Sequence, residues 1–167
     1  MFSQPHIEER KLQPYLAIRT AVPIPFGKYL GPLWQEVEAH LKSQGLPASS
    51  YGPALIRYLT TDMSTQLDIE VGFAVDHPVG GADRILADIL PAGRYATLLY
   101  TGSYRGKGIY KATVALLDWA KENEIAWNTT TRNRVEWWNG RVEWYLTDPA
   151  REKDPKKYRT ELAFLVR

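Results

Sequence analysis

Leu67-Asp68-Ile69-Glu70-Val71-Gly72-Phe73-Ala74-Val75 puts an apolar residue at every second position. This is the period of a β-strand with one buried face. Leu67, Ile69, Val71, Phe73 and Val75 are expected against a core, and Asp68, Glu70, Gly72 and Ala74 on an open side. Just upstream, Ala54 to Thr60 reads as a second strand, and Tyr15 to Val22 as a third near the start of the chain. Between these two, Leu30, Leu33, Trp34, Val37 and Leu41 recur at steps of three and four. Those steps line up one face of a helix, with Pro32 near its start and Gly45 just past its end.

The same order returns downstream. Arg94 to Thr101 reads as a strand, Ile109, Thr113, Leu116, Leu117 and Ala120 as a helical stripe, and Arg141 to Thr147 and Thr160 to Val166 as two further strands. The helix ends Gly45 and Asn123 are 78 positions apart. Strand, helix, strand, strand, occurring twice, predicts duplicated β-α-β-β units over roughly 5–78 and 84–167 within one domain spanning 1–167. The fold class is α+β, with one antiparallel sheet and both helices on one face. In the later strands Val142, Trp144 and Leu146, and Leu162, Phe164 and Val166, are expected toward the helices. Glu143, Tyr145, Glu161 and Ala163 would then share the open face.

Composition narrows the function classes. The chain has no cysteine, which excludes disulfides, zinc–thiolate sites and thiol nucleophiles. His6, His40 and His77 lack metal-like spacing, so neither a metal nor a cofactor is expected. A formal net charge of +2 gives no basic face for direct nucleic-acid binding. The basic stretch from Arg151 to Arg159 is interrupted by Glu152 and Asp154. Without a long apolar run or a leader, a cytoplasmic protein with no membrane segment is expected. Six Trp and ten Tyr against four Phe favour a surface that is dry on one side and meets a ligand or partner on the other.

Val135 to Tyr145 is the stretch richest in chemistry. Asn139-Gly140 suits a two-residue hairpin turn, which would set Glu136 opposite Glu143 and raise one carboxyl pKa. The other reading is a longer loop, with Glu136 paired to Arg134 or Arg132 in solvent. Glu143 lies among Trp138, Trp144 and Tyr145. A carboxylate so placed suits a lipophilic cation, each ring contact adding roughly 0.5–2 kcal/mol. A salt bridge to Arg141 or Arg57 on a solvated face explains it equally well.

Several segments resemble one family. Pro91-Ala92-Gly93-Arg94-Tyr95-Ala96 is similar to a strand entry of the GyrI-like (gyrase-inhibitor-like) domains. Glu143-Trp144-Tyr145-Leu146-Thr147-Asp148-Pro149 resembles their "E-x-Y, then D-P" segment, Thr160-Glu161-Leu162 their closing strand, and Leu33-Trp34 their first helix. The resemblance implies a groove between two halves that binds hydrophobic, often cationic, small molecules for sensing or sequestration. It implies that Glu143 meets the ligand's charge beside Tyr145, with Trp34, Tyr51, Tyr58, Tyr104 and Trp138 as aromatic walls. It also admits hydrolysis of cyclopropane-containing electrophilic toxins, with Glu143 and Glu161 (or Glu136) as catalytic carboxyls, and a protein partner as in gyrase-inhibiting relatives. A stand-alone member is expected, with no room for a helix-turn-helix.

Overall fold

The computed structural model describes residues 1–23, 27–61 and 66–167. Among these residues ten strands and two α-helices form, in order, β1 (His6–Arg10), β2 (Gln13–Val22), α1 (Gly31–Ser43), β3 (Tyr51–Thr60), β4 (Leu67–Val75), β5 (Ile85–Leu90), β6 (Gly93–Thr101), α2 (Gly108–Glu122), β7 (Thr129–Arg132), β8 (Val135–Trp138), β9 (Arg141–Tyr145) and β10 (Arg159–Leu165). Eight strands make one antiparallel sheet in the order β1-β6-β10-β9-β3-β4-β2-β5, and β7 pairs only with β8. The expected α+β class and repeated β-α-β-β order are therefore present. The sheet order is symmetric about the β3–β9 seam, so β3 corresponds to β9, β4 to β10 and β2 to β6. Registers extend this to residues: Arg57 pairs with Glu70 as Trp144 pairs with Glu161, which makes Tyr58 the counterpart of Tyr145 and Ile56 that of Glu143.

Both helices lie on one face. Leu33 and Trp34 of α1 pack on Ile56, Tyr58 and Ile69, while Ala112 and Leu116 of α2 pack on Leu98, Leu162 and Phe164. Each helix ends in the same motif. Leu46 N–H reaches Leu41 O and Gly45 N–H reaches Lys42 O; in α2, Ile125 N–H reaches Ala120 O and Glu124 N–H reaches Lys121 O. The residue past the cap must be left-handed, with φ 76° at Gly45 but 55° at Glu124. A side chain held there is strained by about 1 kcal/mol. Glu124→Gly is expected to raise the thermal midpoint by about 2–4 °C, read from a melting curve; an unchanged or lower midpoint would count against the motif.

Two short connections shape the sheet. β1 and β2 lie six places apart, as do β5 and β6, yet only Lys11-Leu12 and Pro91-Ala92 join them. Six strand spacings in a flat sheet would be about 29 Å. Three Cα–Cα links reach about 11 Å. The sheet must roll up so that its two edges approach, with the face opposite the helices inside. That face carries a second core of Tyr15, Leu55, Leu90, Tyr95, Val142, Trp144 and Leu165.

The rolled sheet corrects three expectations. Its second face is buried rather than open, so Ala163 and Glu70 are enclosed there. Glu143 pairs with Ile56 and Leu162, and so faces the helices, while Val142 and Trp144 point the other way and Leu146 is exposed. Apolar character could not choose between two apolar faces. The hairpin turn falls at Asn133-Arg134, where φ is 51° and 68°, instead of Asn139-Gly140. Glu136 therefore opposes Thr131, not Glu143, and is exposed. The edge strands β1 and β5 and the β7–β8 hairpin lay outside the expected elements.

Candidate functional site

Glu143 sits at the β3–β9 seam on the helix face, 5% exposed. Strand pairing fixes its backbone between Ile56 and Leu162, two apolar neighbours that give a carboxylate nothing. Compensation comes from the two symmetry-related tyrosines. Tyr58 O–H donates to Glu143 Oε1 at 2.7 Å, and Tyr145 O–H donates to the same oxygen at 2.9 Å. Burial still holds the Glu143 carboxyl above its ordinary pKa, against the pull of those bonds and of Arg141. Burial and the glutamate's charge likewise hold both phenols well above theirs.

Two further rings, one from each half, pack on Tyr145. Trp34 of α1 meets Tyr145 edge to face at 5.4 Å, its indole N–H donating to Gly72 O at 3.1 Å. Tyr104, from the turn before α2, meets Tyr145 edge to face at 5.2 Å and stacks at 4.7 Å against Tyr158. Its hydroxyl is pinned by Thr147, donating to the carbonyl at 2.7 Å and accepting from the N–H at 3.0 Å. An occupant that reaches Glu143 must part these rings. The arrangement suits a diffuse, weakly hydrated positive charge: a buried carboxylate, aromatic side chains beside it and little water to compete.

The expected site residues thus divide. Glu143, Tyr58 and Tyr145 are joined by hydrogen bonds, and Trp34 and Tyr104 meet them through Tyr145. Trp138 packs instead on Trp127 and Phe164 and reaches the centre only through Arg141, whose guanidinium lies over its ring at 4.6 Å. Tyr51 stands at the far end of β3, edge to face with Phe73 and donating to Glu38 at 3.1 Å. Glu161 is corrected as a partner carboxyl for Glu143: it pairs with Trp144 on the opposite face and is held by Arg10 at 2.7 Å. Adjacent strands in register fix this, since Glu161 is one residue out of phase with Leu162, the neighbour of Glu143.

Two arginines, expected from the sequence only as salt-bridge partners for Glu143 on a solvated face, stand elsewhere: Arg141 is buried beside Glu143, and Arg57 lies on the opposite face. Arg141 shares the face of Glu143 whichever way the strand points, because it precedes it by two; that spacing was the available signal. On the inner face, Arg57 donates to the Tyr15 phenol oxygen at 2.6 Å, the Tyr15 O–H donates to Glu70 at 2.5 Å, and Asp88 lies 3.7 Å from Arg57. The β5–β2–β4–β3 pairing brings these together. Beside them a cleft of about 230 Å³ is lined by Pro14, Tyr15, Val75, Val79, Asp88 and Ile89.

Known proteins share this architecture. EcmrR in its complex with DNA superposes with a TM-score of 0.75 at 22% identity, over 99% of this chain and 57% of that one. The present chain thus spans little more than half of that protein. The EcmrR C-terminal domain matches with a TM-score of 0.76 at 20% identity, over 98% and 97% of the two chains. SAV2435 bound to tetraphenylphosphonium matches with 0.61 at 10% identity, over 99% and 94%. At these identities the likeness is one of fold. No curated protein matches the sequence. The profile of one family, the GyrI-like small molecule binding domain, matches residues 3–167.

Proposed function

The chain belongs to the GyrI-like small-molecule-binding domains, and from that premise we propose that it binds hydrophobic cations at Glu143, to sense or sequester them. The observation that carries this reading is the buried carboxylate hydrogen-bonded by Tyr58 and Tyr145, with Trp34 and Tyr104 packed edge to face on Tyr145. Burial without a salt bridge among the described residues leaves that group with more to gain from a cation than a solvated glutamate has. The aromatic surround favours a charge that is diffuse and weakly hydrated over a small metal ion or an ammonium. SAV2435, of like fold, is seen with a ligand of this kind, tetraphenylphosphonium, which makes it a suitable probe. Calorimetric titration of that probe into wild type and Glu143→Gln tests the assignment. Binding at least about tenfold weaker in the variant, a loss of about 1.4 kcal/mol, is expected. Equal binding in both proteins, or none in wild type, would remove Glu143 from this role.

A hydrolytic reading draws on one feature, the raised proton affinity of Glu143, which suits a general acid. With Glu161 on the other face it would have to operate on Glu143 and its two tyrosines alone. Turnover of a strained electrophile, abolished in Glu143→Gln while binding persists, is the result that would favour it.

A further inference from the structure

Glu143 stands between two sets of aromatic rings, and the chain has placed a cation of its own in one of them. On one side Trp34, Tyr104 and Tyr145 meet edge to face. On the other, the guanidinium carbon of Arg141 lies 4.6 Å from the ring centre of Trp138, 4.6 Å from that of Phe164 and 5.5 Å from that of Tyr58. Distances of this order over ring faces are attractive for a delocalised cation. Arg141 precedes Glu143 by two residues on β9, so both side chains leave the same face with backbones about 7 Å apart. Its Nε is buried and donates to no acceptor among the described residues. Ring faces and the through-space attraction of Glu143 therefore favour the charge that burial opposes.

We propose that Arg141 is a tethered cation that sets the charge pattern of the ligand: one positive centre, seated on the Trp34–Tyr104–Tyr145 side of Glu143, with an uncharged remainder toward Arg141. The inference rests on the cation reading of Glu143 and refines it. Its basis is charge balance in a place short of water. One carboxylate already faces one fixed guanidinium, and a first ligand cation shares that carboxylate from the free side. A second positive centre extending across the seam would meet Arg141 where screening is weak. It would have to displace the guanidinium from the Trp138–Phe164 stack or bear its repulsion. The symmetry of the halves sharpens the point, because Tyr58 and Tyr145 are counterparts and the ring set around Tyr58 would be the natural seat for a second charge. Arg141 fills that seat in advance.

The test uses a matched pair of probes, benzyltriphenylphosphonium with one charge and p-xylylene-bis(triphenylphosphonium) with two, titrated into the full chain. Wild type is expected to favour the monocation by about tenfold or more. Arg141→Lys keeps a charge at the position and should keep that preference. Arg141→Met removes the charge while its flexible apolar chain still fills the space between Trp138 and Phe164, and should bring the two affinities to within about threefold, a difference of about 0.65 kcal/mol. Arg141→Gln is a second neutral variant should the methionine protein fail to fold, with melting curves recorded for each. A preference as large in the neutral variants as in wild type, or one lost equally in Arg141→Lys, overturns the proposal while leaving Glu143 as the cation site. Failure of the monocation to bind wild type overturns both readings together.

Discussion

Glu143→Gln is expected to make the unliganded protein melt several degrees higher at pH 7 to 8, although it removes the group on which ligand binding is proposed to depend. Burial lifts the Glu143 carboxyl above its ordinary pKa, and the two tyrosine hydrogen bonds and Arg141 recover only part of the shift. The sign of the linkage follows from proton binding. A carboxyl whose pKa is higher folded than unfolded binds its proton more tightly in the native state. Its contribution to stability is fully present below the unfolded pKa and is lost as pH rises through the folded one. At neutral pH the ionised side chain therefore works against the fold. Glutamine has nearly the same shape, still offers an oxygen to Tyr58 and Tyr145, and carries no charge. The expected gain is a rise of several degrees in the melting midpoint. Melting curves from pH 4 to pH 8 check it: the advantage of the variant should shrink on acidification as the wild-type carboxyl takes up its proton. A variant that melts lower at pH 7, or a gap that does not change with pH, would show that the hydrogen bonds outweigh desolvation. Cation affinity of the wild type should fall over the same acid range, since only the ionised carboxyl attracts the ligand.

A side chain that weakens the fold and sits under aromatic rings is better explained by binding than by packing. That reasoning needs the burial of Glu143, which the sequence did not reveal. Leu67 to Val75 was legible because one of its faces is strongly apolar and the other carries Asp68 and Glu70. The helices were legible from the spacing of Val37, Leu41, Leu116 and Ala120. Arg141 to Tyr145 was not, because Val142 and Trp144 on one face and Tyr145 on the other are all large and semi-apolar. With both faces of the sheet buried, the choice between them is made by register, and register is set by Ile56 and Leu162 on the strands either side. The same limit hid the approach of Tyr15, Arg57 and Glu70, which come from three strands. What the sequence could supply was residue type and phase: Glu143 with Tyr145 two positions on, Arg141 two positions before, and a surplus of Trp and Tyr to surround them. Tyr51 and Trp138 fit that surplus equally well by composition, yet β3 carries Tyr51 to its far end and Arg141 stands between Trp138 and the carboxylate.

Gly72→Ala is expected to be the most damaging single methyl group that can be added to the chain. Gly72 pairs with Ala17 of β2 and Leu55 of β3 in the middle of the rolled sheet. A Cβ built on it falls directly on the carbonyl oxygen of Leu16, and within 2.7 Å of the Ala17 Cα. In a regular antiparallel pair, opposed Cβ atoms stand side by side and never meet the neighbour's carbonyl. Here the backbone of β2 leaves no room for a side chain on Gly72. Relief would mean moving a strand on which Tyr15, Leu16, Ala17 and Ile18 are all buried. A loss above about 4 kcal/mol is expected, enough to leave a marginally stable domain largely unfolded. Gly80→Ala is the control, because a Cβ there meets nothing within 4 Å, and it should change the melting midpoint little. If Gly72→Ala melted within a degree or two of wild type, the sheet could not be folded over itself at this point. The same residue connects architecture to site, since its carbonyl receives the indole N–H of Trp34. Should Gly72→Ala survive at low temperature, any shift of that carbonyl would carry Trp34 away from Tyr145, and cation affinity should fall in the variant even where its helices and strands persist by circular dichroism.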